Sequence, residues 1–340
     1  MLDLTTHCNQ NCVFCYRSGP GGLSAAGPPR HQSLEAIRTL CRAFVEAGVA
    51  GVTLTGGEPT CHPEFLAAAA EVKRHDLALT LMTNGVRWTC DQIERLRGLL
   101  QPERDRVELS LDAASARVYR GVRGADQFPA VLETLKGFAR CRIPFVTITL
   151  LLEKNLHEIK AVLDLAERHG ARECAVETPF PKRSVPEQVY APVGAILELY
   201  AELDRRPRGR ARLFLDYLHL ALAAGLLPHL MSELARSGRP ASICHAGYSS
   251  CAVDIGGDVH VCQYVIDSGA TQVGNAFQTP FPILWGRVQD MREELCALGS
   301  NPTCRECGLT ETCRGVCPAI WVETLRGDAP GLPCAPGPSR

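Results

Sequence analysis

Three cysteines, Cys8, Cys12 and Cys15, stand in the stretch "THCNQNCVFCYR" at residues 6–17. Thiolates bind soft metals, and three of them on a four-iron cubane leave one iron without a protein ligand. An open iron can bind and reduce a small molecule, which a fully ligated electron-transfer cluster cannot. The competing reading of the triad alone is a zinc site completed by a distant residue such as His7 or His62. A second series runs through the C-terminal part: Cys244, Cys251 and Cys262, then "CRECGLTETCRGVC" at residues 304–317, then Cys334. Its dense centre, Cys304, Cys307, Cys313 and Cys317, has metal-ligand spacing, with a zinc ribbon as the alternative to iron and sulfide.

Stability does not account for these residues. With 340 residues the chain can bury a core without covalent staples. Its 17 cysteines are an odd number, and "MLDLTTHC" has neither the basic start nor the apolar run of a signal peptide. The expected setting is the reducing cytoplasm, where clustered cysteines hold metal or do redox chemistry. A net charge of -1 and the lack of a basic block argue against a nucleic-acid partner. The most apolar stretch, "LFLDYLHLALAAGLLPHLM", carries Asp216, His219 and Pro228, which argues against a membrane span.

The elements that must position the first triad follow from periodicity. Strand candidates "LDLTT", "GVTLTG", "ALTLMT", "RVELSLD", "FVTITLLL" and "ECAVET" alternate with amphipathic runs such as "SLEAIRTLCRAFVEAG" and "LHEIKAVLDLAERHG". Repeated strand and helix units imply parallel strands with crossover helices, here a partial (β/α)6 TIM-like barrel over residues 1–180. Active groups in such folds gather at the carboxyl ends of the strands, which is where Cys8, "GGEPT", "TNG" and Asp112 fall. Residues 181–243 read as a helical connection, with helices near 193–205 and 216–236. Residues 244–340 read as a small cysteine-rich domain, poor in long helices, with a hairpin "CAVDIGGDVHVC" turning at Gly256 and Gly257.

"CNQNCVFC", with Phe14 before its last cysteine, resembles the signature of the radical S-adenosylmethionine (radical SAM) family. "TGGEPT" resembles the family's GGEP motif, whose backbone at Gly56, Gly57 and Glu58 would meet the methionine amino group of SAM. By itself it would read as an ordinary strand-to-helix turn, and no Gly-Lys-Ser/Thr follows to make it a phosphate loop. Asn84 of "TNG", and Ser110 and Asp112 of "SLD", match positions that line the SAM pocket in relatives. The resemblance implies a 4Fe-4S cluster on Cys8, Cys12 and Cys15, SAM on its open iron, a 5'-deoxyadenosyl radical that abstracts hydrogen from an unactivated carbon, and an electron donor such as flavodoxin or ferredoxin.

The C-terminal series resembles the SPASM extension of such enzymes, which holds two auxiliary 4Fe-4S clusters and brings the total to three. Cys244, Cys262 and Cys317 would serve the first, and Cys304, Cys307, Cys313 and Cys334 the second. Cys251 either completes the first auxiliary cluster or is a free thiol able to donate hydrogen. Cys174, on the sixth strand, is a second possible donor if it faces into the barrel. Sulfatase-maturating relatives place an aspartate base directly after the cysteine equivalent to Cys262, where this chain has Gln263 and Tyr264, so Glu177 is the substitute candidate for that base. The motif begins at residue 8 with nothing before it to grip a leader peptide, which favours a small-molecule substrate such as a sugar, aminoglycoside or nucleoside undergoing net oxidation. The alternatives are an epimerase, a decarboxylase, a ribosomal-peptide maturase served by a separate leader-binding protein, and a non-catalytic zinc module.

Overall fold

The computed structural model describes residues 1–17, 28–180, 185–206, 209–216, 244–298, 317 and 319. The chain divides into two compact units, one built from Met1–Pro179 and Val185–Leu215 and the other from the remainder. Among the described residues no helix is long and apolar enough to cross a membrane.

The first unit is a parallel sheet in sequence order: β1 (Leu2–Thr5), β2 (Gly51–Gly56), β3 (Ala78–Thr83), β4 (Arg106–Ser110), β5 (Phe145–Leu150), β6 (Glu173–Glu177) and β7 (Arg212–Leu215). Its helices are α1 (Leu34–Glu46), α2 (Phe65–Arg74), α3 (Cys90–Leu99), α4 (Ala116–Arg123), α5 (Phe128–Cys141), α6 (Ile159–Arg168) and α7 (Val193–Asp204). The six expected strands are all present, so the α/β reading holds, but β7 is a seventh. It lies in the stretch expected to be a helical connection, and residues 185–215 belong to the first unit instead. Four residues at the sheet's edge, flanked by "DRRPRGR", give too short an alternation to register as a strand. The helix expected near 193–205 is α7; the one expected at 216–236 lies outside the described residues, Asp216 apart.

The pairing register sorts the side chains, because laterally paired residues point to the same face. One row runs Leu54, Leu81, Val107, Phe145, and the next runs Leu109, Thr147, Cys174, Leu213. Phe145 packs on Phe138 of α5 at 5.6 Å between ring centroids, so this face is the one that meets the helices. The opposite face carries Thr53, Thr80, Met82, Glu108, Ser110, Ile148 and Glu177, all partly exposed. Parallel sheets are ordinarily covered by apolar contacts on both sides; a mixed, accessible face is the one free to receive a ligand.

The second unit contains β8 (Ala252–Val253), β9 (Asp258–His260) and β10 (Gln272–Asn275), antiparallel in that order. The expected hairpin turn is present: Asp254 Oδ1 accepts from Gly256 N at 2.8 Å and Asp258 N at 2.9 Å, and Gly257 adopts φ +86°. A helix, α8 (Phe281–Leu298), then runs for 18 residues where no long helix was expected. Its buried face is Leu284, Val288, Arg292 and Leu295. A charged residue in the middle of the apolar stripe hides the helical period.

Loops at the strand ends are closed by side chains that serve several backbone groups. Asn155, fully buried, donates through Nδ2 to Asp112 O and Leu150 O, each at 2.8 Å, and accepts through Oδ1 from Leu152 N at 2.8 Å. Asn155→Ala strands three buried polar groups at the ends of β4 and β5. It should lower the stability of the chain by about 2 kcal/mol or more in anaerobic denaturant unfolding.

Candidate active site

The loop that follows β1 has no regular structure of its own, so neighbouring elements must hold it. Gly57 N donates to Thr5 O and Glu58 N to His7 O, each at 2.8 Å. Val13 N donates to Val122 O in α4 at 3.1 Å, and Gln10 Nε2 donates to Tyr119 Oη at 2.6 Å. Asn84 Nδ2 donates to Asn9 Oδ1 at 2.7 Å, which joins the end of β3 to the same loop. Beyond the last cysteine, Arg17 forms a buried ion pair with Asp3 of β1 at 2.5 Å.

Cys8, Cys12 and Cys15 are free, partly accessible thiols. Burial pushes the Cys8 thiol up to about 12, with Glu58, Cys12 and Cys15 adding to it. Burial likewise raises Cys12, against the pull of Arg123. The three are thus within reach of one another's charge without converging on a single-ion site among the described residues. Assembly of a cluster on them would release the thiol protons. His62 cannot complete a zinc site as it stands: its Nε2 meets Gln32 O at 2.7 Å and its Nδ1 accepts from Glu64 N at 3.0 Å. Three soft donors with a fourth position open fit the 4Fe-4S group.

Gly56 and Gly57 line the same loop. Gly56 has φ +131°, and a Cβ on Gly57 would sit 2.3 Å from His7 O and 3.0 Å from Cys8 N. The glycine that was expected to clear room for SAM therefore first clears room for the Cys8 segment. Glu58 is buried and saturated: its carboxylate accepts from Thr60 N at 3.1 Å and from Thr60 Oγ1, Thr83 Oγ1 and Asn84 N at 2.7 Å each. Its side chain braces the turn, leaving the backbone as the part available to a ligand. Ser110 ends β4 on the accessible face. Asp112 is fully buried, accepts from Leu150 N at 2.7 Å, and pairs with Arg123.

Arg123, at the end of α4, went unmarked in the sequence. Its Cζ lies 5.2 Å over the Phe14 ring and its Nη1 is 3.7 Å from Cys12 Sγ. A basic residue in a last helical turn ordinarily reads as a surface partner of the helix dipole. The one available signal was that a buried Asp112 would need a cationic partner.

The remaining candidates separate. Cys174 does not face the accessible side of the sheet: it shares a row with Thr147, and it lines a cavity with Leu163 and Glu167 of α6 and Leu203 of α7. The condition for its acting as a hydrogen donor, that it face into the barrel, is not met in this register. Glu177 ends β6 on the accessible face. In the second unit, burial pushes the Cys262 thiol up, with Cys317 and Cys244 adding to it, so these three are gathered. Burial also raises Cys251. Cys304, Cys307, Cys313 and Cys334 lie outside the described residues.

The loop geometry makes a prediction. Gly57→Ala should displace the Cys8 segment and cost the first cluster, about four irons by anaerobic assay. Gly98→Ala, in α3 with nothing within 4 Å of its Cβ, should keep full iron and melt no lower than the parent.

Residues 2–166 match the Radical SAM superfamily. The chain is 27% identical over 345 residues to mycofactocin maturase MftC of Mycobacterium tuberculosis, covering 99% of this chain and 82% of that protein. Among solved structures, Streptococcus suis SuiB bound to precursor peptide SuiA matches with TM-score 0.75 at 16% identity, over 98% of this chain and 73% of that one. Native anSMEcpe with bound AdoMet and Kp18Cys peptide matches with TM-score 0.67 at 16% identity, over 93% and 89%. At such identity the structural likeness speaks for the fold. The expectation of a small-molecule substrate is overturned by these relatives, one a maturase and another solved on a precursor peptide. A loop built around three free thiols, on a parallel sheet with one partly accessible face, lies within the stretch that matches: residues 2–166 are a radical SAM superfamily region.

Proposed function

We propose that this enzyme matures a peptide by removing hydrogen from an unactivated carbon, with net oxidation or crosslinking as the outcome. The observation that carries this reading is the relation to mycofactocin maturase over 99% of the chain. When bound, the cluster and SAM supply a 5'-deoxyadenosyl radical. Cys8, Cys12 and Cys15 would hold the cluster, and the backbone at Gly56 and Gly57, with Asn84 and Ser110, would line the SAM site. The peptide would lie along the accessible face of the sheet, and Glu177, at the end of β6 on that face, would take the proton that an oxidised product gives up. Epimerisation needs a thiol on that face to return hydrogen, and the orientation of Cys174 removes one of the two candidates. The gathering of Cys244, Cys262 and Cys317 supports a SPASM-type second unit with Cys251 as a further ligand, and hence three clusters.

Anaerobic reconstitution should give about twelve irons per chain. Replacing Cys8, Cys12 and Cys15 together by Ala should remove about four of them and end 5'-deoxyadenosine formation. With SAM and deuterated candidate precursor peptides, deuterium should appear in 5'-deoxyadenosine and the accepted peptide should emerge lighter by hydrogen. SAM cleavage without label transfer from the peptide would overturn the substrate assignment. A product of unchanged mass that carries solvent deuterium would overturn oxidation.

A further inference from the structure

A hydrogen-bond relay ends on a buried donor one residue after Cys8. Asn84 sets its direction: Asn84 Oδ1 accepts from Val86 N at 3.1 Å, so the end of its carboxamide that meets Asn9 is Nδ2, which donates to Asn9 Oδ1 at 2.7 Å. The backbone of Asn84 is held in turn by Glu58, whose Oε2 accepts from Asn84 N at 2.7 Å. With its oxygen so engaged, the Asn9 carboxamide must turn Nδ2 away from Asn84. That nitrogen is buried and reaches no acceptor among the described residues, thiols included. Asn9 O accepts from Gln127 Nε2 at 3.4 Å, so the residue is held at its backbone as well.

A carboxamide N–H can only donate, and leaving it buried without an acceptor is costly. The surrounding side chains and backbone supply none, whereas a cluster on Cys8, Cys12 and Cys15 brings inorganic sulfides, which are acceptors, into the loop that contains Asn9. We propose that Asn9 is a positioning residue whose Nδ2 donates to a bridging sulfide of that cluster, and that Glu58 and Asn84 serve this bond by fixing which end of the carboxamide is presented. The sulfide is the partner, and not a cysteine sulfur, because Nδ2 reaches no cysteine sulfur in this structure. Asn84, expected to line SAM, has both ends of its carboxamide engaged by the protein, so the donor left for a bound group belongs to Asn9. A hydrogen bond to a cluster sulfur stabilises the more negative, reduced state and so raises the potential. The proposal rests on the assignment of the first cluster to Cys8, Cys12 and Cys15 given above.

The test uses the reconstituted full chain, reduced without SAM, with the side-chain amide of asparagine labelled with heavy nitrogen. Pulsed electron paramagnetic resonance of the cluster whose signal responds to later addition of SAM should show coupling to the label in the parent. It should show none in Asn9→Asp, which keeps an oxygen for Asn84 Nδ2 but has no donor; a role confined to holding Asn84 would not move this readout. Asn9→Leu, which adds no charge, should lower the potential of that cluster by a tenfold or larger change in its reduction equilibrium, about 59 mV for one electron. Absence of coupling in the parent would overturn the proposal, as would coupling that survives in Asn9→Asp or a fully loaded Leu variant at the parent potential. An unmoved potential with about tenfold weaker SAM binding in Asn9→Leu would assign the donor to SAM and sink the sulfide assignment. Where neither variant loads the cluster, the coupling in the parent decides alone. If the SAM-responsive signal survives replacement of Cys8, Cys12 and Cys15 by Ala, the cluster assignment itself falls and takes the proposal with it.

Discussion

A single buried carboxylate fixes the ground on which the cysteine loop stands. Both oxygens of Glu58 are taken, by Thr60 in its own turn and by Thr83 and Asn84 at the end of β3. Burial raises its pKa, and the hydrogen bonds work the other way, each favouring the charged form. The cost of burying the group is thus offset by four donors that come from two consecutive strand ends. Asn84, held by this carboxylate through its backbone, then reaches across to Asn9 in the loop. The path from a saturated carboxylate to the residue beside Cys8 runs through two hydrogen bonds. No comparable latitude exists at Gly57, whose missing side chain lets the two backbones touch.

The sheet above which this loop sits has unequal faces, and the inequality is what makes it a site. The helix-facing rows are mostly Leu, Val and Phe, with Thr147 and Cys174 among them; the large apolar side chains contribute about 1.5–3 kcal/mol each on burial and anchor the strands. The other face carries hydroxyls, the carboxylates Glu108, Glu173 and Glu177, and apolar side chains, most of them partly exposed, with Val146 and Ala175 buried among them. An extended chain laid on such a surface finds both polar partners and apolar footholds. Cys174 sits on the wrong side of this divide for hydrogen donation, while Ser110 and Glu177 sit on the right one.

The sequence showed the fold wherever one local signal was long enough. The six strands were legible because runs such as "FVTITLLL" have both strong β propensity and enough length, and the cysteine spacing was legible because it is local. β7 was missed because four edge residues among arginines carry little alternation, and α8 because Arg292 occupies the centre of its buried stripe. The facing of Cys174 depended on register, which only pairing with β5 and β7 fixes. Arg123 and Arg292 escaped for a common reason. Each is surrounded in sequence by other charged residues, and only burial distinguishes it from them.

The contact between the cysteine loop and α4 shows how closely position and charge are tied. Gly124, with φ +69°, ends the helix, and a Cβ there would stand 2.3 Å from Asn11 O. The loop can therefore approach the helix end only because that residue is glycine. Close approach brings the loop to a helix C-terminus, whose free carbonyls carry partial negative charge and disfavour an anionic group nearby. Arg123, the residue immediately before the glycine, turns its guanidinium to the loop and pulls against that effect at Cys12. Steric access and electrostatic tolerance are thus supplied by adjacent residues, and a change that preserved the first while removing the second would leave the thiols in place but in an unfavourable field.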